Sequence, residues 1–283
     1  MEMGILMQES PRYTLDDLML LMQVLRDPQQ GCPWDVAQHW DSIVPHTLEE
    51  AHEVADAIER RAFDELPGEL GDLLFQIVYY ARFGSEEGRF DFHDIVHGLT
   101  AKMIARHPHV FPDGHLGSRR QGVAAAEVDT SAVGQRWEAR KADERKARDA
   151  TSLLDDIPLA LPALSRAGKL SSRAARAGFD WPDHRGALEK IREELAELEV
   201  EIDADDQEKM SAELGDLLFA VVNLARHLDI DPEQALRGTG QRFERRFRHV
   251  ESAVRASGTS IDSTDLDTLE RHWQDAKRLE RGQ

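Results

Sequence analysis

An internal repeat is the feature that most constrains the fold of this chain. Residues 69–75, with the sequence E-L-G-D-L-L-F, recur unchanged as residues 213–219, and an E-E-x-x-E segment precedes each copy at the same distance. The chain is therefore a tandem duplication, and its 283 residues divide into two halves that are each long enough to bury a core. We predict an N-terminal domain at 13–150 and a C-terminal domain at 152–280.

Apolar residues in both halves recur at helical spacing. In the second half, Leu188, Ile191 and Leu195 follow this spacing, as do Leu214, Leu217 and Val221. Strand-like alternation is absent, and Gly and Pro fall mainly between the helical segments. The pattern predicts an all-α fold built as a tandem repeat of two helical-bundle domains. We expect a mobile loop over 114–131, a charged helix over 135–149 and a domain junction over 151–162.

The composition excludes several classes of function. The formal net charge of −19 repels phosphate polymers, so we expect no nucleic-acid surface. The single Cys32 excludes an internal disulfide. The N-terminus does not resemble a secretory signal, and no apolar run approaches the roughly 20 residues of a membrane span. We therefore expect a cytoplasmic protein with no membrane contact.

The duplicated carboxylates indicate a metal site. Glu194 and Glu197 lie three residues apart on one helical face, as do Glu213 and Asp216 on the next helix. Carboxylates this close repel one another unless a cation neutralises them, and oxygen-only ligands suit Mg²⁺. Acidic helix faces are usually only solvated, but the repetition of the whole set favours metal. The predicted ligands are Glu194, Glu197, Glu213 and Asp216 at a partly buried rim, with a possible second site at Glu50, Glu53, Glu69 and Asp72.

Basic residues accompany the acidic set of the second half. Lys190 and Lys209 each lie one turn before an acidic ligand, and Arg242, Arg245 and Arg246 cluster further along the chain. Such cations can bind the phosphates of a metal-bound nucleotide. The first half has His46 and Glu65 where the second has the two lysines, so we expect catalysis in the second half. The first half is then a weaker catalytic site, a metal-only site or a structural partner.

Several further motifs accompany the two acidic sets. They are C-P-W-D at 32–35, H-P-H-V-F at 107–111, G-F-D-W at 178–181, F-E-R-R-F at 243–247 and Trp273. Together with the acidic sets, they resemble the MazG family, nucleoside triphosphate pyrophosphohydrolases of the all-α NTP pyrophosphatase superfamily. The resemblance covers about 18–277. It implies Mg²⁺-dependent hydrolysis of NTPs and dNTPs to the monophosphate and pyrophosphate, with Mn²⁺ as a substitute ion, in a homodimer.

The resemblance also implies which residues contact the nucleotide. They are Lys190, Ile191, Arg192, Glu193, Glu194, Lys209, Met210, Ser211, Ala212, Arg242, Phe243, Glu244, Arg245, Arg246, Trp273 and Lys277. Among these, we expect Glu193, Lys209 and Arg246 to take part in catalysis, with Glu193 a candidate to orient the attacking water. Trp273 either stacks on the base or closes the core, and the resemblance favours stacking.

Two other classes of protein compete with this interpretation. Glu49 and His52 form one Glu-x-x-His pair of the kind found in di-iron bundles, but Ala196 replaces His52 in the second half. A non-catalytic nucleotide-sensing or regulatory protein is the stronger alternative. Release of pyrophosphate from ATP with Mg²⁺ would distinguish an enzyme from such a protein.

Overall fold

The computed structural model describes residues 12–120 and 152–281, which contain ten α-helices and no strand. The all-α prediction is therefore confirmed for this part of the chain. The helices of the first half are α1 (Leu15–Leu25), α2 (Pro33–Ala37), α3 (Trp40–Glu59), α4 (Leu66–Glu86) and α5 (Phe92–Arg106). Those of the second half are α6 (Ala163–Arg176), α7 (His184–Asp203), α8 (Gln207–His227), α9 (Pro232–Ala256) and α10 (Leu266–Arg281).

The chain divides into two compact units, Met1–Arg140 and Lys141–Gln283. This division falls within residues 121–151, which the structure does not describe. The predicted domain limits at 150 and 152 therefore stay a prediction. The predicted helix at 135–149 also lies outside the described residues. Of the predicted loop at 114–131, the structure describes only the beginning, which contains a 3₁₀ turn at Leu116–Ser118.

Each unit contains a helical hairpin that carries one copy of the repeat. In the first unit α3 packs against α4, and in the second α7 packs against α8. Both hairpins turn through a residue in the left-handed region, Arg61 (φ 61°) and Asp205 (φ 55°), at matched positions of the repeat. The duplication has thus kept the backbone of the turn as well as the residues around it.

Packing against neighbouring helices holds these hairpins in place. In the first unit, Met22, Ile43, Val78, Tyr79 and Phe83 form a buried core between α1, α3 and α4. In the second, α6 packs against α8 and α9 packs against α10. No helix among the described residues is long and apolar enough to cross a membrane.

Candidate functional site

The hairpins bring the acidic residues of each repeat together. In the second unit, Glu194 from α7 and Glu213 and Asp216 from α8 each offer an oxygen, and these oxygens lie within 4.8 Å of one another. The first unit repeats the arrangement with Glu50, Glu69 and Asp72 at the same limit of 4.8 Å. Each set is large enough to hold a cation, and its donors are all carboxylate oxygens, the ligands that Mg²⁺ prefers.

The fourth predicted ligands, Glu197 and Glu53, are not members of these three-residue groups, but their charges act on residues within them. Burial and the neighbouring charges of Glu197, Glu194 and Asp216 raise the pKa of Glu213. Burial followed by the charges of Glu53 and Asp72 likewise raises the pKa of Glu69.

Glu50 behaves in the same way, since burial and then the charge of Glu53 raise its pKa. Negative charge is therefore crowded in both sets, and a bound cation would relieve the repulsion.

Glu194 lies deeper than the partly buried rim that the sequence predicts. Only 4% of the residue is exposed. Lys190, one turn earlier on α7, places its Nζ 2.5 Å from Glu194 Oε1 and 2.8 Å from Glu193 Oε1. Hydrogen bonds to these two carboxylates raise the pKa of Lys190. A buried carboxylate needs such a partner, and the lysine supplies it within the same helix.

Lys209 lies in the first turn of α8. Its Nζ is 3.5 Å from Glu201 Oε2 and 3.4 Å from Asp206 Oδ2. Asp206 also caps α8 by accepting a hydrogen bond from the backbone N–H of Lys209. The ammonium group of Lys209 is therefore held by Glu201 and Asp206, although Lys209 precedes Glu213 by one helical turn.

The remaining predicted contacts on α7 and α8 flank the acidic set. Ile191 and Met210 are half-buried, whereas Arg192, Ser211 and Ala212 are exposed. Their role at a nucleotide stays a prediction.

The arginine cluster forms contacts between α9 and α10. Arg246 donates to Glu280 Oε2 at 2.7 Å, and its guanidinium lies 5.7 Å from the ring centroid of Trp273. Trp273 in turn packs at a centroid distance of 5.2 Å against Phe243. Trp273 is thus half-buried in helix packing, and its stacking on a base stays a prediction.

The other members of this segment are more loosely held. Arg242 donates a hydrogen bond to Thr239 Oγ1 at 2.7 Å. The Nε atom of Arg245 lies 3.7 Å from Glu280 Oε1. Glu244 is exposed and pairs with Arg248 at 3.6 Å. Lys277 on α10 is half-buried. Trp137 and Lys141, the first-half counterparts of Trp273 and Lys277, lie outside the described residues.

A cavity of about 380 Å³ opens beside the acidic set of the second unit. Lys190, Glu194 and Asp216 line its charged end. Apolar side chains make up most of the remaining wall, among them the aromatic residues Phe179, Trp181 and Phe219, together with the polar Ser171 and Asn223. The sequence motifs include Phe219 and the 178–181 segment of this wall, but they do not include Ser171 of α6 or Asn223 of α8.

The loop before α7 places two aromatic residues at the cavity. Gly178 adopts a φ of 87°, in the left-handed region that favours glycine. Gly186 lies so close to Trp181 that an added Cβ would overlap the indole ring. Arg226 and His227 of α8 both contact Asp180, with His227 Nε2 at 3.1 Å from its Oδ1. Glycine geometry and an ion-paired aspartate therefore fix the segment that carries Phe179 and Trp181.

The first unit has a buried aromatic residue where the cavity of the second unit has Asn223. Tyr79 occupies the position of Asn223 in the repeat, is 1% exposed and packs in the core with Met22 and Phe83. Its hydroxyl donates to the buried Asp35. A cavity of about 520 Å³ in this unit is lined by residues of α1, α4 and the start of α5 and does not include the acidic set.

Taken together, the fold and the two sites define a tandem all-α protein in which each repeat gathers carboxylates able to hold a cation. The model of the MazG nucleotide pyrophosphohydrolase domain matches the chain twice, at residues 38–111 and 183–251. The chain belongs to the MazG family.

Curated relatives resemble the chain over nearly its whole length. It is 49% identical to the nucleoside triphosphate pyrophosphohydrolase of Escherichia coli, covering 94% of this chain and 98% of the relative. It is 37% identical to the nucleoside triphosphate pyrophosphohydrolase/pyrophosphatase MazG of Thermotoga maritima, covering 93% of this chain and 95% of the relative. Both acidic sets thus lie within the aligned length of full-length relatives.

Proposed function

We propose that this protein is a nucleoside triphosphate pyrophosphohydrolase that cleaves NTPs and dNTPs to the monophosphate and pyrophosphate. The observation that carries the proposal is the carboxylate set of Glu194, Glu213 and Asp216, with Lys190 beside it, in a chain that belongs to the MazG family. Hydrolysis of a phosphoanhydride needs positive charge around the phosphate oxygens and a positioned water. The second unit combines a cation-binding set with a lysine at the same place.

The acidic set fits a divalent cation, which we propose to be Mg²⁺, with Mn²⁺ as a substitute. Glu194, Glu213 and Asp216, whose oxygens lie close together, would hold it with Glu197, because all four residues offer only oxygen donors. Burial and the charges of Glu197, Glu194 and Asp216 raise the pKa of Glu213, and a cation would relieve this crowding of charge. When bound, the ion supplies positive charge to the phosphates and polarises the bond that breaks.

The protein residues then bind the substrate and orient the water. Lys190 contacts phosphate from the charged end of the cavity, and Glu193, which already accepts a hydrogen bond from Lys190, orients the attacking water. Lys209 and Arg246 contribute further positive charge once the nucleotide draws them from Glu201 and Glu280. Trp273 and Lys277 complete the proposed nucleotide contacts.

We further propose a homodimer. Leu195 on α7 and Leu214, Leu218 and Val221 on α8 are large apolar residues that are each more than two-fifths exposed. Exposed apolar residues concentrated on one hairpin are typical of a face that another subunit covers.

Phosphorus NMR of the products provides the decisive test. With Mg²⁺ and ATP, the expected signals are AMP and pyrophosphate, appearing together from the start of the reaction. The Glu197→Gln variant should lose turnover while keeping its helical content by circular dichroism. Early release of orthophosphate and ADP would contradict the proposal. A protein that binds ATP in a calorimeter but never cleaves it would be a nucleotide-sensing or regulatory protein instead.

A further inference from the structure

Glu201 is an acidic residue on the face of α7 that carries the proposed metal ligands, but it is itself outside both the metal set and the proposed nucleotide contacts. It follows Glu194 by seven residues and Glu197 by four, a spacing that places all three carboxylates on one side of the helix. Its side chain is only 19% exposed. Its charge also contributes to the raised pKa of Glu213, after burial and three other carboxylates. A half-buried carboxylate beside a crowded acidic set needs a cationic partner.

Lys209 is the cationic partner of Glu201. Its Nζ lies 3.5 Å from Glu201 Oε2 and 3.4 Å from Asp206 Oδ2, and among the described residues these two acids are its ion-pair partners within 4 Å. Hydrogen bonding with Asp206, followed by the charge of Glu201, raises the pKa of Lys209. The ammonium group is therefore held between two carboxylates, although the Lys209 side chain is 62% exposed.

This arrangement keeps Lys209 away from a metal ligand. Lys209 and Glu213 are four residues apart on α8, a spacing at which lysine and glutamate commonly pair. Such a pair would occupy a carboxylate that the proposed cation needs. Because Glu201 and Asp206 attract the ammonium group instead, the carboxylate of Glu213 stays available to the cation, and positive charge stays close to the acidic set.

The first repeat lacks the whole arrangement. Ala57 stands at the position of Glu201 and is fully buried, and Ala62 stands at the position of Asp206. Glu65 replaces the lysine and pairs with Arg60 at 2.7 Å. The lysine and both of its acidic partners therefore occur together in the second repeat and are replaced together in the first, which is the pattern expected if the three side chains act as a unit.

We infer that Glu201 is a positioning residue that holds the Lys209 ammonium beside the acidic set, and away from Glu213, until the phosphates of a metal-bound nucleotide take the lysine over. This inference rests on the proposed function for the phosphate contact of Lys209. A lysine has a flexible four-carbon stem, so holding it in advance reduces the conformational freedom that is lost when phosphate binds. Glu201 acts on the substrate through Lys209 and not by direct contact.

Matched substitutions measure whether Glu201 acts through Lys209. Glu201→Gln removes the charge at nearly constant size, and Glu199→Gln removes the same charge from an exposed position of α7. Lys209→Met removes the ammonium group, and a double variant combines Glu201→Gln with Lys209→Met. Calorimetry measures binding of the Mg²⁺ complex of α,β-methylene-ATP, whose α–β bridge resists hydrolysis. KM and kcat for ATP are measured alongside, and circular dichroism checks that each variant keeps its helical content.

Glu201→Gln should weaken binding of the analogue by about fivefold or more, a factor within the range of coupling between neighbouring residues. KM for ATP should rise by a similar factor, whereas kcat should change by less than about twofold, because the lysine has left Glu201 once the phosphates are bound. Glu199→Gln should change binding by less than about twofold, and so should Glu201→Gln when it is added to Lys209→Met.

Three results of the binding measurement would overturn the inference. Equal weakening with and without Lys209 would show that Glu201 acts on the site through its own charge. Tighter binding in Glu201→Gln would show that this carboxylate competes with the phosphates for the lysine. Absence of binding to the wild-type protein would remove the proposed phosphate contact as well.

Nuclear magnetic resonance without nucleotide separates this inference from the proposed function. Carbon-13 signals of the lysine Cε groups follow the titration of Lys209, whose signal is identified by its loss in Lys209→Met. The pKa of Lys209 should fall in Glu201→Gln and stay constant in Glu199→Gln, because the nearby carboxylate of Glu201 raises it. A constant pKa in Glu201→Gln would show that Glu201 does not hold the lysine. The expected fall, with coupled loss of analogue binding in a protein that cleaves no ATP, would support the positioning role and contradict only the hydrolase activity.

Discussion

At the scale of single residues, the second acidic set depends on one lysine. Glu194 is buried, and in the absence of a metal ion its charge is balanced by Lys190 at 2.5 Å. The first unit has His46 at the same position of the repeat, and this side chain lies 3.6 Å from Glu49. The corresponding acid there, Glu50, is only half-buried. Burial of the carboxylate and the presence of the lysine therefore go together.

The Lys190→Met substitution tests this balance. Without metal, it should lower the free energy of unfolding by about 1–3 kcal/mol, because a buried carboxylate loses its charged partner. Saturating Mg²⁺ should reduce the difference, since the ion supplies the missing positive charge. Calorimetric unfolding with and without Mg²⁺ measures both effects.

Lys209→Met is the matched control for Lys190→Met. The Lys209 side chain is 62% exposed, and its acidic partners are 3.4 Å and 3.5 Å away, so its removal should lower the free energy of unfolding much less than the removal of Lys190. Similar losses in the two variants would contradict a special role for Lys190 in balancing Glu194.

At the scale of helices, a buried arginine joins the elements of the first unit. Arg26, at the end of α1, donates to the backbone carbonyls of Asp35 and Gln38 around α2. Its Nε and Nη2 groups also donate to Glu86 near the end of α4, at 3.0 Å and 2.8 Å. The hydrogen bond from Arg26, assisted by Arg82, lowers the pKa of Glu86 despite partial burial. One side chain thus holds α1, α2 and α4 together.

This lowered pKa makes the first unit sensitive to acid. Because the folded-state pKa of Glu86 lies below the free value of 4.5, its stabilisation is present above about pH 4.5 and is lost as the pH falls through the folded-state pKa. Glu86→Gln should therefore cost about 1–3 kcal/mol at pH 7 and lose less stability on acidification than the wild type. Urea unfolding at pH 7 and at pH 3.5 measures both quantities.

Asp64→Asn, at an exposed carboxylate of the same unit, serves as the control for Glu86→Gln. It should leave the acid dependence unchanged. If Glu86→Gln has the same acid dependence as the wild type, other carboxylates control the acid response of this unit.

At the scale of the whole molecule, the two repeats have kept the acidic set and diverged around it. Within the described residues, the second unit combines the set with Lys190 and with an aromatic cavity lined by Asn223. In the first unit, Glu65 stands at the position of Lys209 and pairs with Arg60 at 2.7 Å, while Tyr79 fills the core. We therefore propose that the second unit is the catalytic one.

Matched substitutions in the two repeats test this asymmetry. Glu197→Gln should reduce kcat by a factor of about 100 or more, because it removes a proposed metal ligand beside the lysine and the cavity. Glu53→Gln, at the same position of the first repeat, should change kcat by less than about threefold, because it lies outside the proposed catalytic unit. Steady-state pyrophosphate release from both variants measures the difference.

The losses of kcat in Glu197→Gln and Glu53→Gln distinguish which unit is catalytic. Equal losses would indicate two coupled or equivalent sites, and loss only in Glu53→Gln would place catalysis in the first unit. Lys209→Glu copies the residue of the first repeat and should weaken nucleotide binding in the second, as measured by calorimetry.

The sequence by itself determined the all-α architecture, the duplication and the identity of the crowded acids. Periodic apolar residues predict helices because side chains three and four positions apart share a face, and the same spacing pairs Glu213 with Asp216. These relations are local along the chain, or repeated at a constant interval, so they can be read without coordinates.

Only the tertiary structure decided the depth of Glu194, the carboxylate partners of Lys209 and the cavity beside the acidic set. The cavity wall combines Ser171 of α6, Trp181 of a loop and Asn223 of α8, which are far apart in sequence. Packing determines which of these side chains meet. No periodicity encodes such a meeting, because it depends on how separate helices pack against one another.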